Sequence, residues 1–399
     1  MNKLAIFIVF LTSIVCPASG LAAATVSEIE VFLINVDSPM HFSQNPRENR
    51  QHMILRMKAG ENEGWGEAVL TVNNPSVNFE SSEFKIVADY LKKFKGVSAQ
   101  EGLNHLKTHD CEMALGISEM LNMALLDIVG KERGVAAVRL MGFNEISKVA
   151  GSFSICEDEP DKIGEKIVLA KRQNLTAHMK MRIFGDIALD EKLVATLRKA
   201  VKPDTFIVVD ATRTYTIKDA DLQPLEEIIK RLAQAGANAI EDLASVPEER
   251  LPEIRNLGKK YGVIIISDRY IRDSQKALKK NLKGSADLFN LHPGDMGNFY
   301  CVSALVTKIK SFGGEICIGE NSLIGPGCTV YQQIAIAVGA QWVETTEKPH
   351  ENSVFLNAIV EESTYRLPDG AYAMLPMPGW GLTVDRAQLL KACTRHISL

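Results

Sequence analysis

The 399-residue sequence has no CxxC pair, no long run of lysine or arginine and no GxGxxG after its first strand-like segment. Each absence removes a class of function. Without paired cysteines, a structural zinc site has no ligands at the usual spacing. A net charge of −4 with no basic run argues against nucleic acid as the partner, because phosphate binding needs clustered positive charge. Without the glycine-rich turn, dinucleotide binding loses its phosphate cradle. The remaining composition, 46% hydrophobic and 24% charged, is that of an ordinary globular chain long enough for one large domain or two.

The opening residues, MNKLAIFIVFLTSIVCPASGLAAATVSEIE, read as a targeting segment. Lys3 supplies positive charge, and the apolar run from Leu4 to Val15 is short for a membrane span. GLAAA then offers a small-residue cleavage site after Ala24. Residues 1–24 are therefore expected to be a secretory signal peptide, and the protein to be exported (periplasmic or secreted), with no membrane association beyond export. An uncleaved N-terminal anchor is the alternative. The six later cysteines, Cys111, Cys156, Cys301, Cys317, Cys328 and Cys393, are scattered singly in apolar surroundings. They read as small buried hydrophobes, and no disulfide is assigned.

Residues 25–147 look like an α+β unit. VSEIEVFLINV alternates as a strand, HMILRMKAGENEGWGEAVL reads as a hairpin, and Met120, Met123, Ala124 and Ile128 fall at helical spacing before Gly134. Across 148–370 short apolar runs alternate with amphipathic stretches. AGSFSIC, AHMKMRI, TFIVVDA, NAIEDL, VIIISDR, DLFNLHP and EICIGEN are seven strand candidates in βα units. That rhythm predicts a closed α/β barrel over an open sheet. Residues 371–399 are expected to return to the first unit.

In such a barrel the functional groups stand at the C-terminal strand tips. Here each apolar run ends in polar residues: Lys180 and Arg182, Asp210, Glu241, Asp268, His292, then Glu320 and Asn321. Lys180 and Arg182, two apart on a strand, share a face. A single such acid is as readily a helix cap. Three on successive strands would repel one another in a desolvated mouth, and a hard Mg²⁺ relieves that repulsion. Asp210, Glu241 and Asp268 are thus the expected metal ligands.

These residues, together with EGWGEA, LNMALLDIVGKERGVAAVRLMG, HMKMRIFG and LPMPGWGLTVD, resemble the enolase superfamily in its mandelate racemase and muconate lactonizing branch. The resemblance covers nearly all of the chain beyond the signal segment. It implies a modified TIM (β/α)7β-type barrel with an N-terminal α+β capping domain. It also implies Mg²⁺-dependent loss of the α-proton of a small carboxylate substrate to give an enediolate. Lys180 matches the first lysine of the family's lysine pair, and Arg182 replaces the second, usually the base. A guanidinium is a poor base and a good carboxylate clamp. Arg269 replaces a common acid, and His292 stands where the family carries an opposite lysine or aspartate. Imidazole works as acid or base near neutral pH.

The expected catalytic groups are accordingly Lys180, Arg182 and His292. The residues 38–52 read as a substrate-selecting loop, with His41, Arg47 and Arg50 as binding candidates alongside Arg269, Glu320 and Asn321; which of the last two faces inward stays open. The asymmetry of Lys180/Arg182 against His292 leans toward a dehydratase of acid sugars or hydroxy acids. A racemase or epimerase is the alternative, and a catalytically degenerate carboxylate-binding protein a further one. Barrels of this type often form homo-oligomers.

Overall fold

A computed structural model describes residues 24–42, 45–71, 82–108, 115–144, 147–216, 221–344, 360–361 and 363–399. Most of the expected signal segment and Cys111 lie outside the described residues. Among those described, no helix is long and apolar enough to cross a membrane. Cys156, Cys301, Cys317, Cys328 and Cys393 are free thiols, the middle three buried.

The chain begins with an antiparallel meander of β1 (Val26–Phe42), β2 (Asn45–Ala59) and β3 (Asn62–Thr71). Alternation is strict, yet both faces are buried: Val31, Leu33, Met53 and Leu55 on one side, Phe32, Ile34, Ile54 and Trp65 on the other. The first face packs on α1 (Ser82–Lys92), α2 (Ala99–Thr108) and α3 (Leu115–Arg133). The GWGE stretch makes this contact unusually close. A Cβ on Gly64 or Gly66 would lie 1.9 or 2.0 Å from the carbonyl oxygens of Ala124 or Met120 on α3. Where the sequence suggests a loop at 38–52, pairing continues to Phe42↔Asn45. The sequence there is mostly polar and shows no apolar alternation to read.

After α4 (Ala137–Leu140) comes the barrel. Its elements are β4 (Lys148–Ile155), α5 (Ile163–Arg172), β5 (His178–Arg182), α6 (Ile187–Ala200), β6 (Phe206–Asp210), α7 (Gln223–Ala235), β7 (Ala239–Glu241) and α8 (Leu251–Lys260). It continues through β8 (Ile264–Ser267), α9 (Ser274–Lys279), β9 (Leu288–Leu291), α10 (Phe299–Ser311), β10 (Glu315–Ile318), α11 (Pro326–Ala337) and β11 (Trp342–Val343). Neighbours pair in parallel, and β11 pairs with β4 to close an eight-strand barrel. Val208, Ala239, Ile266, Leu288, Cys317 and Trp342 cluster together as one buried layer of its strands. Burial of each such Val, Leu or Ile is worth about 1.5–3 kcal/mol. Side-chain caps start several helices: Asp186 accepts from the Ala188 and Leu189 amides, and Asn298 from Cys301.

The remaining elements are β12 (Val360–Glu361), β13 (Thr364–Arg366), β14 (Ala371–Met374), β15 (Thr383–Val384), α12 (Arg386–Ala392) and β16 (Arg395–Ser398). β14 runs antiparallel to β4, and β16 joins β1 at the edge of the first sheet. Between them Trp380 docks on α3, donating from its backbone to Asp127 (2.9 Å) and from its indole to the Met123 carbonyl (2.9 Å). A second tie crosses from β3. Glu67, fully buried, accepts the amides of Ile324 (2.8 Å), Gly325 (2.8 Å) and Gly327 (3.1 Å) at the start of α11, and pairs with His52 at 2.9 Å. A carboxylate suits the positive end of a helix, so this acid clamps the cap to the loop that follows β10.

Candidate active site

A parallel barrel brings all its strand C-termini to one end. On the β5–β6–β7 side of that mouth, Lys180 is buried among three acids. Its ammonium lies 3.2 Å from Asp210, 3.0 Å from Glu241 and 2.9 Å from Glu344. Burial alone would lower its pKa, but the three carboxylates outweigh that and hold it well above the usual lysine range. Arg182 projects to the same side, 3.7 Å from Asp210. Asp210, despite burial, is held below the usual carboxylate range by Lys180 and Arg182. Burial, and then the neighbouring acids, push Glu241 up even against Lys180. Asn290 completes this half, donating to Glu241 (3.0 Å) and Glu344 (3.3 Å).

The β8–β9–β10 side is organised around Arg272. Its Nε and Nη2 take the two oxygens of Asp268, each at 2.6 Å. Nη1 reaches Asp295 at 2.7 Å, and Nη2 lies 3.3 Å from His292 Nε2. A guanidinium only donates, so Nε2 accepts; Asn321 Oδ1, 2.9 Å from His292 Nδ1, only accepts, so Nδ1 carries the hydrogen. The two contacts agree on one tautomer, with the Nε2 lone pair facing the mouth. Gly319 makes room for the ring: a Cβ there would stand 2.2 Å from Nε2. Between the halves, Asp242 accepts the amides of Asp268 (3.1 Å) and Arg269 (3.0 Å) from a left-handed backbone, φ 44°. Burial and the adjacent Asp268 push its carboxyl up to about 6.

Glu241, Asp268 and His292 each offer a ligand atom, all within 4.8 Å of one another. Glu241 Oε2 is buried without a hydrogen-bond partner, its contact there being the Lys180 ammonium. Two carboxylates, one with an orphaned oxygen, suit Mg²⁺, which binds through one or two carboxylates and keeps waters. The structure thus brings two of the three expected acid ligands together with His292, while Asp210 is engaged by Lys180, Arg182 and Thr212.

Of the expected substrate contacts, Asn321 faces inward onto His292, Glu320 is half-buried and Arg269 is exposed. His41, Arg47 and Arg50 lie on β1 and β2, with side chains outside the described residues. Sequence reasoning missed Glu344, Asn290, Asp242 and Arg272. Two signals were available: Asn290 shares a strand face with His292, and Arg272 follows Asp268 by four residues.

A closed β/α barrel with cations and acids gathered at its strand tips, under an α+β cap, defines a class of barrel enzymes, and comparison with known proteins identifies the family. A family model described as enolase C-terminal domain-like matches residues 164–388. The hydrophobic dipeptide epimerase of Enterococcus faecalis is 23% identical over 208 residues, 51% of this chain and 56% of that protein, so the match spans about half of the relative's length. The dipeptide epimerase of Cytophaga hutchinsonii, solved with Mg and D-Ala-L-Val, superposes with a TM-score of 0.78 at 18% identity, over 94% of this chain and 99% of that one. The muconate lactonizing enzyme of Pseudomonas putida gives 0.73 at 18% identity, over 93% and 100%. The chain belongs to the enolase superfamily, in its mandelate racemase and muconate lactonizing branch.

Proposed function

We propose that the protein removes the proton α to the carboxylate of a small acid on one face and delivers a different proton to the opposite face of that carbon, as a racemase or epimerase using Mg²⁺. The placement of Lys180 and His292 carries this reading. β6, β7 and β8 separate β5 from β9 on one side, and β10, β11 and β4 on the other. The two groups therefore stand on opposite staves of the barrel. Inverting a carbon needs a proton acceptor on one face and a donor on the other. Lys180 is held as an ammonium, a donor; His292 presents the Nε2 lone pair, an acceptor.

Glu241 and Asp268 would hold the metal. When bound, it stabilises the negative charge that grows on the substrate carboxylate as the proton leaves. Arg182, charged at all working pH values, orients the anion beside Lys180. Asn321 fixes the histidine tautomer, and Asn290 holds Glu241 and Glu344 in register. The dipeptide epimerases among the similar proteins favour dipeptides as first substrates to try. Dehydration, suggested by the asymmetry of Lys180/Arg182 against His292, has less support, since opposed donor and acceptor groups suit inversion at one carbon.

The test is incubation with Mg²⁺ in D₂O and a panel of dipeptides, N-acyl amino acids and hydroxy acids, read by NMR. One or more acids should gain α-deuterium and appear in both configurations. Loss of water without inversion would move the assignment to a dehydratase. No exchange in any acid that demonstrably binds would leave a binding protein.

A further inference from the structure

We propose that Arg272 is a displaceable internal cation: it pairs with Asp268 and His292 and competes with a divalent ion for them. This rests on the metal site assigned above. Four observations support it. Arg272 takes one lone pair on each oxygen of Asp268 at 2.6 Å and neutralises the charge a metal would use, so the two cations compete for the same carboxylate. The same guanidinium reaches His292 Nε2 at 3.3 Å, so one group covers a metal ligand and the proton acceptor together. Its third contact, Asp295 at 2.7 Å, lies outside the cluster of Glu241, Asp268 and His292, on the turn after β9, and is a third exposed. The Arg272 side chain is itself 34% exposed, so solvent reaches it and it has somewhere to go.

Lys180 shows the contrast. It touches Glu241 from the other half of the mouth, but its side chain is only 9% exposed and three acids enclose it. It is part of the site; Arg272 is its latch. Metal and guanidinium compete for Asp268, and Asp295 is the resting place that keeps Arg272 paired when it loses. A latch that leaves the site open about a tenth of the time lowers the apparent metal affinity about tenfold. Release also uncovers Nε2, so metal binding and readiness of the acceptor are one event.

The experiment is titration of the full chain with Mn²⁺, followed by EPR and calorimetry, for the parent, Arg272→Gln, Arg272→Lys and Asp295→Asn, after thermal scans confirm that each folds. Arg272→Gln should bind about tenfold tighter or more. Arg272→Lys, a point charge unable to grip both oxygens, should fall between it and the parent. Asp295→Asn, deprived of the resting place, should bind more weakly than the parent. If the parent binds and Arg272→Gln binds no better, the latch is wrong and the metal site stands. If neither binds, both are wrong.

Discussion

The two halves of the barrel mouth solve the same electrostatic problem in different ways. Around β5, β6, β7 and β11, a lysine is sealed among Asp210, Glu241 and Glu344. Around β8 and β9, an arginine that reaches in from the start of α9 pairs with Asp268 and Asp295 and stays open to solvent. A sealed ion pair cannot be broken cheaply, because each charge left behind stays desolvated. Asp268 is as buried as the acids around Lys180, but Arg272 is 34% exposed, so one member of this pair regains water when the contact breaks. The difference separates a permanent part of the catalytic machinery from a replaceable one.

The comparison can be broken most directly at its rigid end. Lys180→Met should abolish inversion of the carbon and destabilise the fold by about 3–5 kcal/mol, measured by urea denaturation, because three buried acids lose their cation. Arg272→Gln should cost less in the same measurement, because glutamine still offers Asp268 a donor and the guanidinium it replaces is 34% exposed. Equal losses in the two variants would erase the distinction. Next in size, His292→Asn should slow exchange by about 10²–10⁴-fold while the protein still binds Mg²⁺. Asn321→Leu removes the acceptor that fixes the tautomer and should lower kcat by about 10–100-fold with an altered pH profile, and KM should move little.

The smallest effect concerns what lies beneath the histidine half. Glu119 on α3 is fully buried and bonded to Tyr331, whose hydroxyl also accepts the Gly294 amide at 2.8 Å, two residues past His292. Burial raises its pKa well above the ordinary 4.5, against the hydrogen bond from Tyr331. The folded protein therefore prefers the protonated acid. The stability this contributes is complete below the unfolded value and is lost as pH rises toward the folded one. Melting temperature should fall as pH climbs above about 5. In Glu119→Gln, which keeps a neutral side chain there, that fall should flatten.

Much of this architecture is legible before folding is considered. Seven barrel strands announce themselves as apolar runs, and the groups at their tips fall where a parallel barrel must put them. The eighth strand, Trp342–Val343, is too short for any periodicity, and with it Glu344 passes unnoticed. Arg272 had only its spacing from Asp268 to mark it, and a lone arginine after a strand otherwise reads as a solvated loop residue. The pairing of three acids with one lysine is a property of closure: β11 meets β4, and only then does Glu344 arrive beside Lys180. The pairing of β1 with β2 through 38–52, down to Phe42↔Asn45, follows no apolar alternation in the sequence.

The most direct measurement follows deuterium into each enantiomer of a turned-over acid, in D₂O with Mg²⁺, for the parent, Lys180→Met and His292→Asn. Two groups on opposite staves predict that the parent inverts the carbon, that neither variant does, and that Lys180→Met still exchanges one enantiomer while His292→Asn does not exchange that one. If a single variant left inversion intact, or if both lost exchange in the same enantiomer only, the opposed pair would be refuted.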